Sequence, residues 1–189
     1  MKKIILTVLM ASTFGFVNAQ EKEEMSFGAK GGLNLATVTN IERSKTLVGF
    51  HVGFFGEFML SDKFALQPEL LYSAQGSKFE AGDLKLGYVN IPVMLKYYVA
   101  DDFSLELGPQ IGFLVSAKSE TDNGVTEDVK DTVKSTDVGV NFGLGYDLTE
   151  NFMIGLRYNY GLTRLQEELE PGEAESKNSV FQFSLGYRF

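Results

Sequence analysis

Beyond about residue 25 the chain alternates apolar and polar residues with a period of two, in eight segments separated by turn chemistry. Segment one, 26–36, puts Phe27, Ala29, Gly31, Leu33 and Leu35 on one face and Ser26, Lys30 and Asn34 on the other. Segment two, 47–59, sets Val48, Phe50, Val52, Phe54 and Phe58 against His51 and Glu57. Segment three, 64–75, sets Phe64, Leu66, Leu70 and Tyr72 against Gln67, Glu69, Ser73 and Gln75. Segment four, 85–99, sets Val89, Ile91, Val93, Leu95 and Tyr97 against Asn90 and Lys96. At its start Leu84, Leu86 and Tyr88 have the opposite parity, which predicts a bulge or a loop boundary. Segment five, 103–117, alternates Phe103, Leu105, Leu107, Ile111 and Phe113 with Ser104, Glu106, Gln110 and Ser116. Segments six (136–148), seven (152–164) and eight (179–189) repeat the pattern, with Asp137, Asn141, Asp147, Arg157, Asn159, Gln182 and Arg188 on their polar faces.

The connections alternate in length. Ser61-Asp62-Lys63, Ala100-Asp101-Asp102 and Thr149-Glu150-Asn151 read as tight turns, whereas 37–46, 76–84, 118–135 and 165–178 read as longer polar loops. Short turns at one end and long loops at the other is the pattern of an outer-membrane barrel, with the turns periplasmic. Aromatics cluster beside the short turns (Phe58 and Phe64, Tyr97 and Phe103, Tyr146 and Phe152, Tyr187 and Phe189), as an interfacial girdle requires. Phe50, Tyr72, Phe113, Tyr160 and Phe181 make a looser second girdle near the loops.

Cost decides which face meets lipid. Lys30, Glu57, Glu69, Lys96, Glu106, Arg157 and Arg188 all fall on the polar face. A Lys or Arg facing lipid at mid-membrane costs about 2–4 kcal/mol, so that face is the lumen. The predicted fold is all-β: an eight-stranded antiparallel up-and-down transmembrane β-barrel. A barrel of that strand number is just wide enough for side chains to fill, so these seven residues are expected to pair across the lumen rather than line an open pore. A soluble lipocalin-type barrel is the competitor. Large aromatics on the apolar face of each segment exceed what such an interior could hold. Pro68, Pro92 and Pro109 fit the pattern badly; each removes a ladder donor, and they mark bulges or a weak stretch of wall.

The first 19 residues are of another kind: Lys2 and Lys3, an apolar run from Ile4, then Val17-Asn18-Ala19. That is a cleaved export signal, too short and too diluted by Ser12, Thr13 and Gly15 to span a bilayer. The expected organisation is signal peptide 1–19 and barrel domain 20–189, located in the outer membrane. The chain's net charge of −8 becomes −10 once Lys2 and Lys3 are lost, which argues against nucleic-acid binding. The absence of Cys excludes disulfides, Cys-ligated zinc and a lipoprotein anchor.

The prolines lie in segments with a familiar look. Gln67-Pro68-Glu69-Leu70-Leu71-Tyr72, Tyr88-Val89-Asn90-Ile91-Pro92 with Lys96-Tyr97, and Leu107-Gly108-Pro109 with Gly112-Phe113 resemble the PorT-like outer-membrane β-barrel family of Bacteroidetes-type bacteria. Gly143-Leu144-Gly145-Tyr146 and Gly155-Leu156-Arg157-Tyr158 are similar too. The resemblance spans almost the whole mature chain and implies the barrel, not an activity. The member that gives the family its name takes part in protein secretion. The family supplies no catalytic residues to carry over.

Candidate chemistry is sparse. His51 is the only histidine; barrel-embedded hydrolases pair such a residue with Ser and a carboxylate, but a hydrogen-bonded lumen residue is the plainer reading. The acidic loops, with Glu120, Asp122, Glu127, Asp128 and Asp131 and with Glu167, Glu168, Glu170, Glu173 and Glu175, lack the register of a calcium loop and read as solvated surface. Gly28, Gly31 and Gly32 precede no helix and so form no phosphate cradle. No cofactor, metal or catalytic residue is expected. The expected function is a non-enzymatic outer-membrane barrel with surface loops for binding or an envelope-structural role. Alternatives are a membrane-embedded hydrolase or acyltransferase using His51, a narrow channel, and an accessory of a secretion system. Expected partners are outer-membrane lipid, the assembly machinery through the C-terminal strand ending in Phe189, and an extracellular ligand or protein.

Overall fold

The computed structural model describes residues 25–40, 44–80, 82–121, 123–168 and 174–189. The export signal read over 1–19, together with Asp122, Glu170 and Glu173 of the acidic loops, lies outside the described residues. The strands are β1 (Met25–Val38), β2 (Lys45–Ser61), β3 (Phe64–Phe79), β4 (Gly82–Ala100), β5 (Phe103–Thr121), β6 (Thr126–Asp128), β7 (Thr136–Asp147), β8 (Phe152–Gly161) and β9 (Asn178–Arg188). Neighbours pair antiparallel, and β1 pairs with both β2 and β9, which closes an eight-stranded ring from which only the three-residue β6 is excluded. Closure leaves no edge, the condition for strands in lipid, where an unpaired peptide group finds no water.

Alternation along each strand sorts the side chains. Leu33, Val52, Phe54, Leu70, Leu95, Leu107, Phe142, Leu156 and Phe183 are exposed on the outer face. Lys30, Asn34, His51, Glu57, Gln67, Glu69, Lys96, Asn141, Arg157 and Gln182 are buried in the lumen. An apolar belt of this extent fits contact with hydrocarbon, not water. No helix among the described residues is long and apolar enough to cross a membrane. Aromatic pairs mark both rims: Phe64–Tyr97 and Phe152–Tyr187 at 5.0 Å by the short turns, Tyr158–Phe181 at 4.6 Å and Phe50–Tyr72 at 5.8 Å toward the loops. The turns are locked by hydroxyls: Ser61 Oγ accepts from Phe64 N at 3.2 Å and Thr149 Oγ1 from Phe152 N at 3.0 Å.

Four expectations need correction. Residues 76–84 are not a long loop: β3 and β4 stay paired up to Phe79↔Gly82, and β5 runs on to Thr121, so this side of the barrel rises well above the rest. Gly76 permits the extension, since it holds φ 133° and a Cβ there would sit 1.9 Å from the Leu84 carbonyl oxygen. Segment seven ends at Gly161, not 164, because the chain folds back on β7, with Leu162 N donating to Val138 O at 2.7 Å. Of the two readings of the parity change at Leu84, Leu86 and Tyr88, the loop boundary falls and the bulge stands, though on the partner strand. β4 passes straight through, and the register shift between Gly87 and Tyr88 takes its extra residue, Val115, from β5. Lastly, Pro68, Pro92 and Pro109 mark no bulges. Pairing skips Glu69 and Leu70 between Pro68↔Val93 and Leu71↔Asn90, and skips Val93 and Met94 between Pro92↔Gln110 and Leu95↔Leu107, in each case without a change of register. Pro109 faces Val140 in an unbroken ladder on the β7 side but lies in the skipped stretch on the β4 side, so the prolines mark a weak stretch of wall.

Candidate functional site

The lumen is stratified. Nearest the short turns, alternation on all eight strands of the ring aims charged side chains at one another. Glu69 of β3 accepts a bidentate fork from Arg157 of β8, 2.8 Å on each oxygen, together with Lys30 Nζ at 3.1 Å and Gln67 Nε2 at 2.7 Å. The same guanidinium reaches Glu106 at 2.9 Å. Lys96 lies 4.0 Å from Glu106 and donates to Glu57 at 2.5 Å. Glu57 also accepts from Tyr98 Oη at 2.9 Å and Arg188 at 3.4 Å, and Arg188 ends the chain on Asp147 at 3.2 Å. All seven charged residues singled out in the sequence thus join one network. Asp147 and Tyr98 complete it; Asp147 stood on the polar face of segment six, whereas Tyr98 was hidden beside the outward Tyr97. The network holds four cations (Lys30, Lys96, Arg157, Arg188) and four anions (Glu57, Glu69, Glu106, Asp147), so its formal charge is zero. Free space among Lys30, Gln67, Lys96, Glu106 and Arg157 amounts to about 20 Å³, room for roughly one water.

A neutral layer follows. His51 contacts Asn34 Oδ1 through Nδ1 at 2.8 Å and Ser184 Oγ through Nε2 at 2.9 Å. Asn34 donates to Ser73 Oγ at 2.9 Å and to Ala74 O at 2.7 Å, and Gln182 donates to Asn34 Oδ1 at 3.1 Å. Asn159 donates to Asn141 at 3.0 Å. Ser184 is the serine that meets the imidazole, a pairing the sequence alone did not single out. Among the described residues no carboxylate hydrogen-bonds the imidazole, and His51 is 1% exposed.

Above this layer the interior turns apolar. Val38, Leu86, Tyr88, Leu114, Ala117, Val133 and Leu165 form one buried cluster across the lumen, with Leu84 and Val129 against it. The loops supply part of that plug. Val133 pairs with Gln166, Lys134 N donates to Leu165 O at 2.7 Å, and Glu167 N donates to Thr132 O at 3.1 Å. The two loops are therefore stitched together through their backbones, while Glu127, Asp128, Asp131, Glu167, Glu168 and Glu175 stay exposed on a solvated acidic surface. Among the described residues no group of three or more His, Cys, Asp or Glu could hold a metal ion.

Comparison with known proteins agrees with this architecture. No curated protein matches the sequence. Among solved structures, Neisserial surface protein A superposes with a TM-score of 0.60 at 17% identity, covering 88% of this chain and 100% of its own. Ail, the attachment invasion locus protein of Yersinia pestis, superposes at 0.52 with 18% identity, covering 88% and 99%. At such identities the likeness is one of fold. Residues 18–167 match the family described as outer membrane protein beta-barrel domain. Closed ring, apolar belt, charged lumen and family match converge: the chain belongs to the outer membrane protein β-barrel domain family and is an outer-membrane β-barrel.

Proposed function

We propose that this protein is a sealed, non-enzymatic barrel whose loop end faces outward and forms its working surface. The observation that carries this reading is the double closure of the lumen. A charge-neutral ion network fills one end and an apolar plug the other, so neither ions nor substrate find a path through the described structure. Ion passage would require breaking buried pairs, each costing about 3–5 kcal/mol to disrupt. The His51–Ser184–Asn34 arrangement belongs to the lumen packing: both ring nitrogens are engaged, and the group is enclosed between network and plug. Export by cleavage after Ala19, a nearer kinship with PorT-like barrels, and assembly through the C-terminal strand ending in Phe189 belong to the same reading. They rest on the sequence patterns alone.

The test is planar-bilayer recording on the purified, heat-modifiable protein. Silence across a wide voltage range is expected. Steady unitary conductance by the intact protein would sink the sealed-barrel reading. Mass spectrometry of the protein recovered from outer membranes is expected to give Gln20 as its first residue.

A further inference from the structure

Above the plug, between the β3–β4 hairpin and the stitched loops, lies a cavity of about 600 Å³. That volume falls within the ~300–1,000 Å³ of small-molecule sites. Its floor is apolar: Val38, Leu84, Val129, Val133 and Leu165. The floor is also preformed. Val133 and Leu165 belong to the buried cluster, and their backbone is fixed by the Val133–Gln166 bridge and by Leu165 N donating to Ser176 O at 2.7 Å. Two carboxylates, Asp83 and Glu168, line the same cavity, with no Lys or Arg among its described lining residues. Neither carboxylate forms an ion pair within the described structure, although the nearby Lys85 pairs with Glu120. A water-facing end of the barrel thus keeps an apolar recess beside two carboxylates, Asp83, whose charge Lys85 and the cross-strand Lys78 offset in part, and Glu168, which has no ion pair within the described structure.

We propose that this cavity binds a small amphiphile with an apolar body and a cationic head. The body would cover the exposed upper side of the plug, which otherwise faces water. The head would meet Glu168 first and the partly offset Asp83 second, the lining itself holding carboxylates and no Lys or Arg. An anionic head would face two like charges and no donor cation. The inference rests on the loop end being the outward surface, but not on the lumen being sealed.

The test uses the folded barrel in lipid nanodiscs and three probes sharing a phenethyl body: phenethylamine, phenethyl alcohol and hydrocinnamate. Binding is read from the methyl resonances of Val133 and Leu165, with empty nanodiscs correcting for partition into lipid. Saturable shifts are expected for the amine at about threefold to tenfold lower concentration than for the alcohol, the scale of two exposed ion pairs. Hydrocinnamate is expected to bind most weakly. Asp83→Asn with Glu168→Gln should bring the amine level with the alcohol, and Val129→Trp should abolish binding of all three. Val129 is only half-buried and lies outside the barrel wall, so that variant should stay heat-modifiable; Thr132→Trp is a second filler from the same rim. The proposal is overturned if no probe gives a saturable shift, if the head group makes no difference, if the acid binds best, or if both fillers leave binding intact. Absence of binding by a heat-modifiable, non-conducting barrel would remove the ligand site and leave the sealed-barrel reading standing.

Discussion

Glu69→Gln tests the lumen network at its most connected point. The carboxylate is buried and takes five donated hydrogen bonds, two from Arg157, two from the shared Lys30 ammonium and one from Gln67. Glutamine keeps the shape but removes one of four anions, leaving the network with an uncompensated positive charge. Arg157 retains Glu106 at 2.9 Å, whereas Lys30, with Glu69 as its ion-pair partner, is stranded. Breaking a buried pair by removing one partner costs about 3–5 kcal/mol, and the surviving Arg157–Glu106 contact puts this case near the lower end, about 3 kcal/mol. Lys30→Met alone leaves Glu69 its Arg157 fork and should cost less. The double variant, Lys30→Met with Glu69→Gln, restores neutrality. It should be more stable than the sum of the single effects predicts by roughly 1–3 kcal/mol, the usual coupling for contacting residues. Urea unfolding of the refolded protein in detergent micelles, followed by far-ultraviolet circular dichroism and by gel mobility, measures all three. A Glu69→Gln cost below about 1 kcal/mol, or strictly additive singles, would mean that the lumen is hydrated enough to screen its charges, and the seal would lose its physical basis.

Four further substitutions probe the wall and the lumen. Leu107→Arg, on the outer face at mid-strand, should cost about 2–4 kcal/mol in vesicles, while Leu148→Arg in a short turn should cost about 0–1 kcal/mol; equal costs would argue against a membrane-spanning belt. Gly28→Leu should cost about 1–3 kcal/mol by the same unfolding assay, because a Cβ there would lie 2.3 Å from the ring of Phe55 and force that ring from its place in the lumen. His51→Ala should cost about 1–3 kcal/mol by stripping partners from Asn34 and Ser184, with growth and envelope integrity of the producing cell unaltered; loss of a hydrolytic activity in that variant would revive the enzyme alternative.

Much of the wall was legible because lipid enforces a strict rule. A charge facing hydrocarbon is so costly that polar positions on every segment identify the lumen, and Lys30, Glu57, Glu69, Lys96, Glu106, Arg157 and Arg188 could be named from parity alone. Which of them pair was not legible. Partnership depends on stagger between strands far apart in the chain: Glu69 meets Arg157 across the lumen, eighty-eight positions away. The pairing of Ser184 with His51 escaped notice for the same reason, since it spans 133 positions. Tyr98 was obscured because two adjacent tyrosines point to opposite sides of the wall, one into lipid and one onto Glu57.

The parity change at the start of β4 has a deeper cause. Leu84, Leu86 and Tyr88 keep the inward parity of Asn90 and Lys96; what changes along the strand is not direction but surroundings. Outside the bilayer the outer face meets water, and Lys78, Lys85 and Lys118 stand exposed there, while apolar side chains turn inward to make a core. Each tall strand therefore carries two opposite codes in sequence, a membrane barrel's apolar-out pattern below and a soluble barrel's apolar-in pattern above. At the boundary the two codes meet as a parity shift in β4, where the sequence reads like a bulge. The true bulge sits one strand away, at Val115 of β5, where it lets Leu114 and Ala117 both face inward despite being three residues apart. The plug and the cavity above it arise from that upper code, so the part of the molecule best placed to meet a ligand is the part to which the lipid rule does not apply.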